Sequence, residues 1–309
     1  MLLLLFFNPF FDTYPDVDPS AAAVPCEFTT ERTRYDEADV VIFHLPTLKR
    51  LPVKRHGHIW AAFSLESEVR EHRLRDPAFM SQFDFTITYQ RGSDVWWPYV
   101  GPESLPALMT PPVAKTESVP VAHFQSNPFD LSGRNAYTLE LIKRIKVASY
   151  GRVLPTVANP GQIEGRDARL RVIARHRFTL AFENSIAPDY VSDKFFDILA
   201  AGSVPVYRGA PNVAEFAPAP HSYIDVADFS SPAELARYLT HLDMREEEYE
   251  EYLSWKRDGP SPAFLALLDE VPPQPFCRLA ELAHARTASN GDAESTYEAA
   301  SVSRSFRRS

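Results

Sequence analysis

Cysteine is nearly absent: only Cys26 and Cys277 occur in 309 residues, far apart in sequence. That excludes a disulfide framework as the source of stability and fits a reducing, cytoplasmic setting. Glycine is scarce as well, and no two of the eleven glycines are separated by a single residue. A G-x-G-x-x-G dinucleotide fingerprint is therefore missing, and so is the G-K-S/T of a Walker loop, which leaves helix ends and cations to hold any phosphate. No apolar run reaches the ~18 residues that a spanning helix needs. The opening run Leu2–Phe7 lacks a basic flank and stops at Asn8-Pro9, so it reads as a buried strand and not as a signal peptide. A soluble chain without a membrane anchor is the expectation. The formal charge of −9 argues against general nucleic-acid binding and leaves room for a local cationic pocket.

What is present is an alternation of apolar strands and amphipathic helices in a chain long enough for two domains of about 120–150 residues each. Strands are predicted at Leu2–Phe7, Val40–Phe43, Ile59–Phe63 and Phe85–Thr88, forming a first α/β domain over residues 1–115. Residues 116–128 carry prolines and little periodicity, and read as a linker. A second α/β domain over 129–285 is predicted to hold helices after Ser132, at Arg166–Arg175, Pro232–Leu242 and Glu246–Trp255, with a strand over Lys146–Tyr150. From 286 to 309 the chain is polar, Ser/Ala-rich and aperiodic, and is expected to be a disordered tail.

Residues 178–213 compress a strand, a polar loop, a capped helix and a second strand. The apolar run Phe178–Phe182 is followed by Glu183, Asn184 and Ser185, just where open α/β sheets bind ligands. Ser192 is a predicted N-cap for a helix over Asp193–Ala201, with Gly202 ending it and strand Val204–Tyr207 following. Lys194 sits in the first turn, where the helix dipole favours an acidic residue; a bound diphosphate resolves that conflict.

Taken in order, Phe178–Ser185, Tyr190–Lys194 and Ala201–Val206 resemble the signature of the glycosyltransferase family 10 α1,3/α1,4-fucosyltransferases: F-x-x-x-F-E-N-S/T, Y-I/V-T-E-K, then A-G-S/T-V-P-V. Upstream, Phe63-Ser64-Leu65-Glu66-Ser67 is similar to the family's L-E-S-P block, and Phe85–Asp94 with Pro98-Tyr99 to its F-x-x-T-x-x-Y-R-R-D-S-D block. Ser126-Asn127 and Gly133-Arg134 resemble the segment between. Gly209–Pro218 and Trp255–Ser261 look closest to the plant-type branch, which modifies the innermost N-acetylglucosamine of N-glycans.

The resemblance implies two Rossmann-like domains facing a cleft, the GT-B arrangement, and inverting transfer of L-fucose from GDP-fucose to O3 of a β-linked N-acetylglucosamine in a glycan acceptor, without a metal or other cofactor. Alternatives are α1,3/α1,4 transfer to lactosamine-type acceptors, or a non-catalytic sugar-nucleotide-binding relative. By carry-over, Glu66 is the general base and Asp193 assists the fucosyl group. Arg134, Glu183, Asn184, Ser185, Tyr190, Ser192 and Lys194 are the other donor-site residues, with Arg134 and Lys194 facing the diphosphate. Trp96 and Trp97 suit either stacking on acceptor sugars or burial in the core. Glu68, at the family's Pro position, is a competing carboxylate near the acceptor. Asp193 is shorter than the family's Glu, and Gln90 and Gly92 replace Arg and Asp of the Y-R-R-D block. Asp16-Val17-Asp18 mimics a D-x-D metal motif, but flanking Pro15 and Pro19 suggest a turn.

Overall fold

A computed structural model describes residues 1–159 and 161–288. Among the described residues eleven strands form two sheets: β1 (Leu2–Phe6), β2 (Cys26–Thr29), β3 (Val40–His44), β4 (Ile59–Ser64), β5 (Phe85–Thr88) and β6 (Val95–Trp96) in the first; β7 (Val121–His123), β8 (Val147–Ser149), β9 (Phe178–Phe182), β10 (Val204–Arg208) and β11 (Ile224–Asp225) in the second. The orders are β2-β1-β3-β4-β5-β6 and β11-β10-β9-β7-β8, and every pairing is parallel. Helices are α1 (Pro77–Met80), α2 (Leu105–Leu108), α3 (Arg134–Ile142), α4 (Arg166–Ile173), α5 (Asp193–Ala201), α6 (Pro232–Asp243), α7 (Glu246–Glu251), α8 (Trp255–Asp258) and α9 (Pro262–Glu270). A final helix covers residues 275–288. Among the described residues no helix is long and apolar enough to cross a membrane.

The central strands β1, β3, β4 and β9 are buried along their whole length because both faces of each sheet are covered, as parallel sheets require. Leu4, Ile42, Ala61 and Phe63 pack on one side of the first sheet, while Leu5, Val41, Phe43 and Trp60 pack on the other. The alternation follows the two-residue period of a strand. In the second sheet, Ala181 and Tyr207 meet Phe195, Phe196 and Leu199 of α5; Leu180, Phe182 and Val206 meet Leu235 and Leu239 of α6.

Two domain boundaries differ from expectation, and the helix expected over Glu246–Trp255 is broken between α7 and α8. Residues 116–128 are not simply a linker, since Val121–His123 is a strand of the second sheet, paired with β8 and β9. The final helix follows the second domain in sequence yet buries Phe276, Leu279, Ala280 and Ala283 against Phe6, Phe63 and Ile87 of the first sheet. Residues 286–288 continue that helix, so the predicted tail does not begin at 286; its remainder lies outside the described residues. The same helix brings Cys277 beside the Asp18 carbonyl while Cys26 approaches that of Pro19, so two cysteines distant in sequence flank one turn, both as free thiols.

Candidate active site

All strands of a parallel sheet point their carboxyl ends the same way, so the polar residues after β4 and β9 gather at two edges, and these edges meet. After β9, Glu183 is fully buried. Its carboxylate accepts from the Ser192 amide at 2.7 Å and the Ser192 hydroxyl at 2.8 Å, and Lys194 Nζ stands 3.2 Å away. Lys194 Nζ also donates to Ser192 Oγ at 2.9 Å. Ser192 caps α5 as predicted, Asp193–Ala201 forms the helix, and Gly202 ends it at φ +76°. Ser192 thus joins the cap to the ion pair, and fixes Lys194 at the helix end. Gly209 after β10 is obligatory: a Cβ there would stand 2.3 Å from the Tyr207 hydroxyl and 2.6 Å from Glu183 Cγ.

Asn184 and Ser185 are buried beside this pair, bonded to each other through Ser185 Oγ and Asn184 Oδ1 at 3.0 Å. Asp193 is half exposed, with Arg169 Nη2 at 3.5 Å and Lys194 Nζ at 3.9 Å. Asp189, just before Tyr190, adopts φ +63° and accepts from the Arg91 amide of the first domain at 3.1 Å. An aspartate tolerates this left-handed conformation better than most side chains.

From the first domain, Glu66 follows β4 by two residues. Arg70 Nη1 approaches its Oε1 at 3.3 Å, while its Oε2 is buried with no hydrogen-bond partner among the described residues. An unpartnered buried carboxylate oxygen is costly, and it is open to a proton donor. Tyr99 donates to the Leu65 carbonyl at 2.5 Å and packs edge-on to Tyr190, ring centroids 6.1 Å apart. Burial pushes both phenols well above the usual tyrosine range; Glu66 and Glu183 add to the rise at each. Both carboxylates therefore act on the same tyrosine pair.

Several expected site residues are engaged elsewhere. The Arg134 guanidinium is buried and donates to the carbonyls of Phe182 (3.1 Å), Asn127 (3.2 Å) and Phe129 (2.8 Å). It braces the loop before α3 and is not presented to a diphosphate. Trp96 is core: it is buried, its Nε1 donates to Tyr89 O at 2.9 Å, and Arg91 lies over its ring. Glu68 is held by Arg75 (2.9 Å) and Gln90 (2.8 Å), so the altered Gln90 supports a carboxylate that would otherwise compete with Glu66. Trp97 stacks on Phe63 at 5.4 Å and lines a separate cleft of about 440 Å³ with Phe10, Asp16 and Phe276. The Asp18 carboxylate caps a turn through Ser20 N and Oγ, which holds its pKa below the usual range. Among the described residues no group of three or more His, Cys, Asp or Glu side chains is arranged to hold a metal ion. Lys256, in the block likened to the plant-type branch, is buried and donates to Leu108 O and Thr110 O, so it ties α8 to α2.

Residues the sequence did not single out include Asp189, Asp197, Arg166 and Arg169, and Tyr99 appeared there only as part of a block and not as a site residue. The two arginines border a cleft of about 550 Å³, and Arg169 with Asp197 lines a small adjoining cavity beside Lys194.

Two parallel α/β domains whose strand ends meet at a polar site have the two-Rossmann-domain arrangement of the GT-B type. A family model described as "Fucosyltransferase, N-terminal" matches residues 1–100, and one described as "Glycosyltransferase family 10 (fucosyltransferase) C-term" matches residues 114–298. The chain belongs to glycosyltransferase family 10. It is similar to GDP-fucose protein O-fucosyltransferase 3 of Bos taurus, 33% identical over 254 residues that cover 76% of this chain and 53% of that protein. The Homo sapiens protein of that name is 35% identical over 223 residues, 68% of this chain and 46% of its own. The chain thus spans about half the length of these relatives. A crystal structure of an α1,3-fucosyltransferase with GDP shares the fold, with a TM-score of 0.55 at 17% identity over 82% of this chain and 81% of that one.

Proposed function

We propose that the protein transfers L-fucose from GDP-fucose to an acceptor hydroxyl by a single inverting displacement. The observation that carries this reading is the meeting of Glu66, with its unpartnered buried oxygen, and the Glu183–Lys194 pair at the start of α5 around Tyr99 and Tyr190. Glu66 takes the acceptor hydroxyl proton. The acceptor oxygen bonds to fucose C1 as the bond from C1 to the β-phosphate oxygen breaks, and GDP departs with the electron pair. Lys194 and the positive end of the α5 dipole stabilise the charge that grows on the diphosphate. Asp193 faces the oxocarbenium-like sugar. Asn184, Ser185 and Tyr190 shape the donor pocket, and Glu183 with Ser192 holds Lys194 in place.

For the acceptor we infer a polypeptide hydroxyl, because relatives that share 33% and 35% identity with this chain carry a protein acceptor in their names. O3 of a β-linked N-acetylglucosamine, in an N-glycan core or a lactosamine, is the second reading, favoured by the blocks Gly209–Pro218 and Trp255–Ser261. The test is GDP release from GDP-fucose with unmodified polypeptides, N-acetylglucosamine, lactosamine and N-glycans, followed by mass spectrometry of the product. A chain that neither binds GDP nor fucosylates any of these acceptors sinks the proposal.

A further inference from the structure

Between the carboxyl ends of β7 and β8 and the start of α4 lies a cleft of about 550 Å³, bordered by Phe124, Tyr150, Arg152, Glu164, Arg166 and Arg169. Phe124 and Tyr150 stack at 5.0 Å and form one wall. Gly151 lets the chain turn there, since a Cβ would stand 2.1 Å from the Gln125 carbonyl oxygen. A second, narrow cavity of about 30 Å³ is lined by Phe124, Arg169, Lys194 and Asp197, and so lies between the larger cleft and the start of α5.

The charges there are unevenly paired. Asp197, on the buried face of α5 with 5% of its side chain exposed, receives Arg166 Nε and Nη2 on Oδ1 at 2.9 and 2.6 Å and Arg169 Nη2 on Oδ2 at 2.5 Å. Two guanidiniums share one carboxylate, and Asp193 adds only the long 3.5 Å contact. Among the described residues the hydrogen bonds of the Arg169 side chain run through Nη2, while a guanidinium carries five N–H donors. An acid on the apolar face of α5 is costly unless paired, so the pair fixes both arginines relative to that helix.

We propose that Arg169 is a diphosphate-binding cation of the donor site, partnering Lys194 across α5, and that Asp197 is the positioning residue that aims it. This rests on the reading that the chain binds GDP-fucose. The arrangement supplies what Arg134, spent on main-chain carbonyls, does not: a fork-shaped cation at the cleft beside Lys194. The stacked Phe124–Tyr150 wall offers the planar surface that a nucleobase needs at the far end of the diphosphate.

Calorimetry with GDP and with guanosine tests it. Wild-type protein is expected to bind GDP; Arg169→Ala should weaken GDP about tenfold to a hundredfold, the loss for a charge-assisted contact, and leave guanosine within about twofold. Arg169→Lys should recover part of the loss. Asp197→Asn should raise KM for GDP-fucose more than it lowers kcat, with recovery in Asp197→Glu. Equal GDP affinity in wild type and Arg169→Ala overturns the proposal while the donor reading stands. A wild type that binds no GDP overturns the donor reading itself. If Arg169→Ala does not fold, Arg169→Gln, which keeps the bond to Asp197 without the charge, carries the same two outcomes. An Asp197→Asn protein that only melts earlier, with unchanged KM, removes the positioning role.

Discussion

Tyr99 and Tyr190 meet edge-on between the two sheets, one carried by each domain, and burial, with Glu66 and Glu183 adding to it, raises their phenol pKa values. Neither phenol ionises near neutrality, so the pair is a neutral, hydrogen-bonding partition between two carboxylates. In the proposed mechanism that separation lets Glu66 serve as base while Glu183 is neutralised by Lys194 at 3.2 Å.

Glu66→Gln should bind GDP as the parent does and lose transfer by about 10²–10⁴-fold, the usual contribution of a general base. Single-turnover kinetics alongside GDP calorimetry check this. Near-parental turnover in a folded variant removes Glu66 from the mechanism.

Glu183→Gln should destabilise the fold by about 3 kcal/mol, the low end for breaking a buried pair, because Lys194 is a third exposed and keeps some hydration. An amide also offers only one acceptor oxygen to the amide and hydroxyl of Ser192. Urea unfolding measures it; a loss under about 1 kcal/mol would mean the pair is a surface-like contact.

Asp193→Glu should preserve transfer and Asp193→Ala should abolish most of it, since a carboxylate near the sugar matters more than its reach. Initial rates of fucose transfer decide between this role and a helix-start acid favoured only by the dipole. An alanine variant as fast as the parent settles it for the dipole.

Activity should survive EDTA, with the α5 terminus and cationic side chains in the place of a metal at the diphosphate. Complete loss that Mg²⁺ or Mn²⁺ restores would return attention to Asp16 and Asp18.

Acid should weaken the fold between the ordinary histidine value and about pH 4. Burial pushes His123 down to about 4, and it is bonded to Ser149 Oγ at 2.9 Å. Between the ordinary histidine value of 6.5 and about 4 the unfolded chain binds a proton that the folded chain refuses. This contribution is complete above pH 6.5 and is lost as pH falls through that window. His44, also pushed down to about 4, acts in the same sense. His123→Asn should flatten the slope of unfolding free energy against pH there; an unchanged slope refutes the assignment.

The local signals proved the most legible. β9, α5 and its cap, and β5 follow the residues predicted, because an apolar run with a cap or a glycine stop is specified within a few residues. β7 escaped because three residues among prolines carry no period, and β2 because a half-buried edge strand lacks the apolar run. The destination of Arg134 was not readable: a helix-start arginine looks alike whether it meets a phosphate or three carbonyls, and only tertiary packing brings Phe182 O to it. Asp197 was hidden for the converse reason, as one acid in an apolar stripe whose partners lie on another helix.

The return of the final helix makes the first domain discontinuous in sequence. Residues 1–112 expressed alone would leave Phe6 and Phe63 without Phe276 and Leu279, a bare aromatic face that invites aggregation. Added as a separate peptide, residues 270–288 should rescue the solubility of that fragment. The chain closes on itself like a belt, so a nick in the crossover near residue 113 should leave the halves still fastened by the buckle at the other end.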